Sequence, residues 1–304
     1  MKIFVIVFSI ALLAALLVWM IYRKGPSDLK AMTTSTSDGQ PRPVQDLVEP
    51  LLKPSILIKT TLTNSASYLG GTPPLFPAFK WPEHKGRPMG FLACIDLSQL
   101  PDALDWLPKT GKLLFFYDME EQPWGFDPND RGGWSVIHVT EPLETKALKA
   151  AAPPNFNPEH LLKSKSIRFV MANLPPTWEE TALSPLNLTE VENEALMEWR
   201  STLSGEGPLH LMGGYPNPIQ NAEMALECQL VSNGLYCGDP TGYQDPRAKQ
   251  LAESAKDWQL LLQMDSDDDL GVMWGDVGSI YFWIRADDAK QGHFDRAWLI
   301  SQSH

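Results

Sequence analysis

Gly70-Gly71-Thr72-Pro73 returns in the second half of the chain as Gly213-Gly214-Tyr215-Pro216, and the segments that follow each copy match in order. Phe91-Leu92-Ala93-Cys94-Ile95-Asp96 resembles Leu260-Leu261-Leu262-Gln263-Met264-Asp265. Gly111-Lys112-Leu113-Leu114-Phe115-Phe116 resembles Gly278-Ser279-Ile280-Tyr281-Phe282-Trp283, and Trp134-Ser135-Val136-Ile137 resembles Trp298-Leu299-Ile300-Ser301. The step from Asp to Gly is 15 residues and then 13; from Gly to Trp it is 23 and then 20. Kept order at near-constant spacing marks a repeated unit; the alternative is chance likeness between β-hairpins. Each Gly-Gly-x-Pro reads as a tight turn, where glycine supplies positive φ or lets backbones approach closely.

The repeated segments read as strands. Candidates lie at 55–62, 89–97, 112–118, 134–140, 166–172, 223–230, 258–264, 279–285 and 296–301. They are rich in β-branched and aromatic residues and bounded by Gly, Pro, Asn or Asp. Ile56-Leu57-Ile58 and Leu260-Leu261-Leu262 are continuous apolar runs, which predicts strands covered on both faces. Thr189 and Glu192 form a capping-box pattern, and Val191, Ala195, Leu196, Trp199 and Leu203 then recur at helical spacing. Asp245-Pro246 opens a second helix running to about residue 256, and a third begins near Asp287.

Several of these segments together resemble the YwqG-like family, a bacterial domain of unknown function. In the first half they are Leu69-Gly70-Gly71-Thr72-Pro73, Trp81-Pro82, Phe91 to Leu97 and Gly111 to Asp118. In the second they are Gly213 to Gln220, Trp258 to Gln263, Trp274 to Ile284 and Phe294. The resemblance spans about Ser55 to Gln302. It implies one α+β domain, mainly antiparallel sheet, and brings no catalytic residues with it. The expected fold class is accordingly α+β: a mainly antiparallel β-sheet with internal pseudo-duplication and a few short helices, preceded by one transmembrane helix. The pseudo-repeats are placed at about 55–175 and 205–304.

The expected helix rests on Ile3 to Tyr22, an apolar run broken only by Ser9. Twenty helical residues span about 30 Å, the thickness of the hydrocarbon layer. Lys2 precedes the run, Arg23 and Lys24 follow it, and Trp19 and Tyr22 sit near its end, where amphipathic rings favour the interface. A cleaved signal peptide fits less well, because its apolar region is shorter and ends in small residues. The expected organisation is an anchor at 1–24, a flexible linker at 25–53 and a β-rich domain at 54–304. The expected location is the bacterial inner membrane, single-pass, with the membrane contact made by residues 3–22 and the side of the soluble domain left open.

The chain carries 25 Lys and Arg against 37 Asp and Glu, a net charge of −12, and 43% of its residues are hydrophobic. That apolar content excludes a disordered chain, three cysteines exclude a disulfide scaffold, and the acidity argues against nucleic acid as a partner. Residues 1–24 hold three of the basic groups and no acidic ones, leaving 22 against 37. Such a body fits a basic protein partner by charge complementarity.

Few residues offer chemistry. Asp265, Asp267, Asp269 and Asp276 match positions 1, 3, 5 and 12 of a calcium loop, though the sixth position is Leu270 rather than Gly; they are the candidate divalent-cation site, and no other cofactor is expected. The alternative is a solvated acidic hairpin loop. Trp81, His210, Tyr215, Gln220 and Trp274 lie beside turns and are the candidate ligand-binding groove, against plain packing under loops. The six histidines show no zinc-helix spacing. Cys94 reads as core, while Cys228 and Cys237 flank a turn and face each other if it closes a hairpin. No nucleophile elbow, phosphate loop or dinucleotide fingerprint is present. The expected function is a membrane-anchored binding or interaction protein that neutralises or scaffolds a protein partner. The alternatives are a metal-dependent hydrolase using the 265–276 loop and a small-ligand sensor.

Overall fold

A computed structural model of the protein describes residues 34–35, 41–77, 79–141 and 148–304. Ten strands form one antiparallel sheet: β1 (Lys53–Thr60), β2 (Tyr68–Leu69), β3 (Gly90–Asp96), β4 (Lys112–Tyr117), β5 (Trp134–Val139), β6 (Lys165–Leu174), β7 (His210–Gly213), β8 (Trp258–Asp265), β9 (Ser279–Arg285) and β10 (Trp298–Gln302). Their order across the sheet is β10-β9-β8-β7-β1-β6-β2-β3-β4-β5. The two ends of that order come round to meet each other. The Trp134 and Trp298 rings lie edge to face with centroids 5.0 Å apart, and Trp134 Nε1 donates to the Ala297 carbonyl at 2.9 Å.

The described residues are therefore a mostly antiparallel sheet curled into a nearly closed barrel with few helices, which corrects the expected α+β class. The curl buries the inner face and brings the two edge strands together without a ladder between them. The expected transmembrane segment at 3–22 lies outside the described residues. Among those described, no helix is long and apolar enough to cross a membrane, and for the described residues this corrects the expectation of a transmembrane, single-pass inner-membrane protein. Within the stretch expected to be linker, Val44–Val48 forms a short helix, α1, whose Val44 and Val48 are buried.

The sheet order is symmetric about its central pair. β1 pairs with β6 from Lys53↔Leu174 to Thr60↔Ile167. β1 also pairs with β7, and β6 also pairs with β2. Each set then continues as a meander, β3-β4-β5 on one side and β8-β9-β10 on the other. A bulge interrupts β3 between Phe91 and Ala93, and another interrupts β8 between Leu260 and Leu262, at the positions the sequence echo aligns. Phe115 on β4 and Phe282 on β9, also aligned, touch edge to face inside the barrel at 5.2 Å.

The inner core runs through both halves, including Leu57, Leu113, Leu211, Leu262 and Ile280. Outside the first meander, Tyr68, Phe91, Cys94 and Phe116 pack under Phe76, Phe79 and Trp81. Helix α2 (Glu190–Ser204) begins at a capping box in which the Thr189 and Glu192 side chains each accept from the other's backbone N–H. Its Leu196 packs with Val44 and Val48 of α1. The segment expected as a strand at 223–230 is instead helix α3 (Met224–Val231), and Cys94, Cys228 and Cys237 are all buried and free.

Candidate functional site

A cleft of about 490 Å³ opens beside the end of β1, bounded by Lys59 and Thr60, by Glu206 and Pro208 before β7, and by the loop after β8. His210, the first residue of β7, lies in its floor and is buried. The Asp265 N–H donates to His210 Nδ1 at 3.2 Å. The ring proton is thereby assigned to Nε2, which donates to Asp267 Oδ2 at 3.1 Å. Asp267 Oδ1 accepts from the N–H groups of Asp269 at 2.8 Å and Leu270 at 3.3 Å. The hydrogen bond from His210, helped by those backbone donors, holds the Asp267 carboxyl below the usual carboxylate range against the opposing effect of burial.

Asp265 is equally engaged. Its carboxylate accepts from the Leu209 N–H at 2.7 Å, Gln263 Nε2 at 2.9 Å and Ser279 Oγ at 2.6 Å. The floor is thus a hydrogen-bond network in which both carboxylates and the imidazole have partners within the protein. The first half carries a simpler version. Ser67, which precedes Gly70 by three residues as His210 precedes Gly213, accepts from the Asp96 N–H at 2.8 Å and donates to Gln99 Oε1 at 2.7 Å.

The rim differs from the floor. Glu206 and Asp268 are exposed and form no ion pair among the described residues, while Asp269 meets Lys165 at 3.5 Å. Met273 and Val277 are 54% and 56% exposed on the same rim. Val277 has φ of 48°, a left-handed conformation that a β-branched residue adopts only under strain. Its turn is fixed by the Gly278 N–H donating to the Trp274 carbonyl at 2.7 Å and the His304 N–H donating to the Asp276 carbonyl at 3.1 Å. Burial, with the Arg168 charge nearby, lowers the Lys59 amine from its ordinary value.

His210, Asp267 and Asp269 line this cleft together. Asp265 sits beneath it and Asp276 on the exposed turn, and the four aspartates do not gather at ligating distance. Trp81 belongs to the outer aromatic cluster and donates from Nε1 to the Met89 carbonyl at 2.8 Å. Tyr215 is buried under the Lys53 amine, which lies 4.0 Å from its ring centroid. Trp274 is buried edge to face on Tyr117, and Gln220 Nε2 donates to the Ser303 carbonyl at 2.8 Å. Of the five groove candidates, His210 is the one that lines the cleft. Sequence reasoning missed Glu206, Met273 and Val277; the signal available was a valine set between two glycines of a turn, Gly275 and Gly278. It also missed His84, Asp118 and Glu121, whose ligand atoms lie within 4.8 Å of one another.

A family model described as a domain of unknown function, DUF1963, matches residues 67–302. No curated protein matches the chain.

Proposed function

The chain belongs to the DUF1963 family, and from that premise we propose a binding protein whose acidic cleft takes a basic, partly apolar segment of a protein partner. Within the family we assign it to the YwqG-like members, on the Gly-Gly-x-Pro turns and the strand motifs that follow them. One observation carries the functional reading: the cleft joins the exposed carboxylates of Glu206 and Asp268 to the exposed side chains of Met273 and Val277, over a floor whose polar groups are already paired. Unpaired charge on a rim above a fully paired floor suits recognition, and the net charge of −12 favours fast association with a cationic partner. A metal-dependent hydrolase on the 265–276 loop would need its aspartates gathered at ligating distance, and among the described residues they are not so gathered.

Fluorescence anisotropy with labelled peptides tests this. A peptide alternating Lys or Arg with Leu is expected to bind, to weaken as salt rises, and to lose at least tenfold in affinity in the E206Q/D268N/D269N variant. A Glu-Leu peptide of equal length is expected not to bind. Equal binding of both peptides, or an unchanged triple variant, sinks the reading.

A further inference from the structure

On the first half of the barrel, the hairpin Glu83–His84/Arg87–Pro88 lies against the turn that follows β4. His84 Nδ1 is 2.6 Å from Asp118 Oδ2. Asp118 is buried, and its other oxygen is fixed by the N–H groups of Glu120 at 2.9 Å and Glu121 at 3.1 Å. Glu121 leans in from the same turn. One nitrogen of Arg87 fills the space between the carboxylates: Nη2 stands 2.7 Å from Glu121 Oε1 and 3.3 Å from Asp118 Oδ2.

That cation fits poorly. Arginine normally meets a carboxylate with two parallel N–H bonds. Here a single Nη2 serves two residues, and Arg87 Nε is buried with no partner among the described residues. A buried donor without an acceptor is costly, and release of the side chain to water would satisfy it. The Arg87 and Lys85 side chains are 41% and 59% exposed, so both can swing out without disturbing the core.

We propose that His84, Asp118 and Glu121 form a divalent transition-metal site in which the ion displaces the Arg87 guanidinium and the proton shared by His84 and Asp118, which passes to solvent. One imidazole and two carboxylates are a ligand set for zinc or cobalt at about 2.0–2.2 Å, with the remaining positions left to water. The buried Asp118 and the backbone bonds that aim it supply the orientation such sites require. Glu121, half out in solvent, makes the closing movement that brings its ligand atom in from the present spread of up to 4.8 Å. Metal binding would join the hairpin to the turn by coordination in place of the ion pairs that Lys85 and Arg87 make with Glu121.

The test titrates the full chain with Zn²⁺ and, in parallel, follows the visible absorption of bound Co²⁺. Saturable binding of one ion per chain is expected, weakened at least tenfold in H84A and in E121Q and tightened in R87Q. The R87Q arm separates the two roles of that cluster, because a purely ion-paired clamp gains nothing when Arg87 is removed. Unfolding curves of each variant without metal keep a folding defect from passing as lost binding. Absence of saturable binding in both the wild type and R87Q overturns the proposal, as does undiminished binding in a folded H84A.

Discussion

At the scale of single residues, the described structure shows which polar groups are settled inside the protein and which are held under tension. Glu227 on α3 is buried; its Oε1 accepts from Tyr243 Oη at 3.1 Å and Asn221 Nδ2 at 3.2 Å, while its Oε2 is buried with no partner among the described residues. Burial pushes this carboxyl up to about 7, and burial does the same to Glu180. A raised folded value means that the native state holds the proton more tightly than the unfolded chain. The stabilisation is therefore complete below the ordinary value of 4.5 and is lost as pH rises through about 7. Stability is expected to fall across that window by roughly 3 kcal/mol for each such group. Urea denaturation at a series of pH values should show E227Q with a clearly shallower slope than the wild type between about pH 4.5 and 7, Glu180 and Glu179 contributing to what remains. An unchanged slope refutes the assignment. Very little at this scale was legible beforehand, because His210 with Asp267, and His84 with Asp118, are partners far apart in sequence. Only the fold makes either pair neighbours.

At the scale of elements, legibility followed length and chemistry. Long runs such as Ile56-Leu57-Ile58 and Leu260-Leu261-Leu262 did become strands buried on both faces, and the Thr189 capping box does start a helix. Tyr68–Leu69 and His210–Gly213 went unseen because two to four residues are too short to show a period. The segment at 223–230 has a strand-like apolar pattern but folds as a helix, as its Met, Ala, Leu and Glu residues favour. The Gly-Gly turns were read correctly in physical terms: Gly70, Gly71, Gly213 and Gly214 all have φ between 64° and 71°. Gly70 carries a second constraint, since a Cβ there would strike the Lys163 carbonyl oxygen and the Leu162 side chain. Gly86, with φ of 75°, faces open space. Replacing Gly86 by alanine should therefore cost only the left-handed penalty of about 1–2 kcal/mol. G70A should cost clearly more, and thermal unfolding of the two variants side by side measures the difference; equal losses mean that the close approach at Gly70 is unimportant.

At the scale of the whole molecule, barrel closure depends on a seam that, among the described residues, no strand pairing spans. Trp134 Nε1 donates across it to the Ala297 carbonyl, and Trp298 Nε1 donates to the Gly125 carbonyl at 2.8 Å. W134F keeps most of the ring packing and removes one of these bonds, so it should loosen the seam before the centre of the sheet. Hydrogen exchange is expected to quicken in β5 and β10 while β1 and β6 stay protected; uniform acceleration would mean that the seam and the sheet open as one unit. Closure was not visible in the sequence, because it depends on sheet curvature and on two tryptophans that no local pattern links. The same two tryptophans, like Phe115 and Phe282, occupy matching places in the two halves and touch each other, as equivalent residues do across the axis of a two-fold dimer. In such a dimer every substitution occurs twice and must suit both sites at once. Joining both copies in one chain lifts that restriction, so one half can keep the plain Ser67–Gln99 latch while the other builds an acidic cleft over His210 and Asp267.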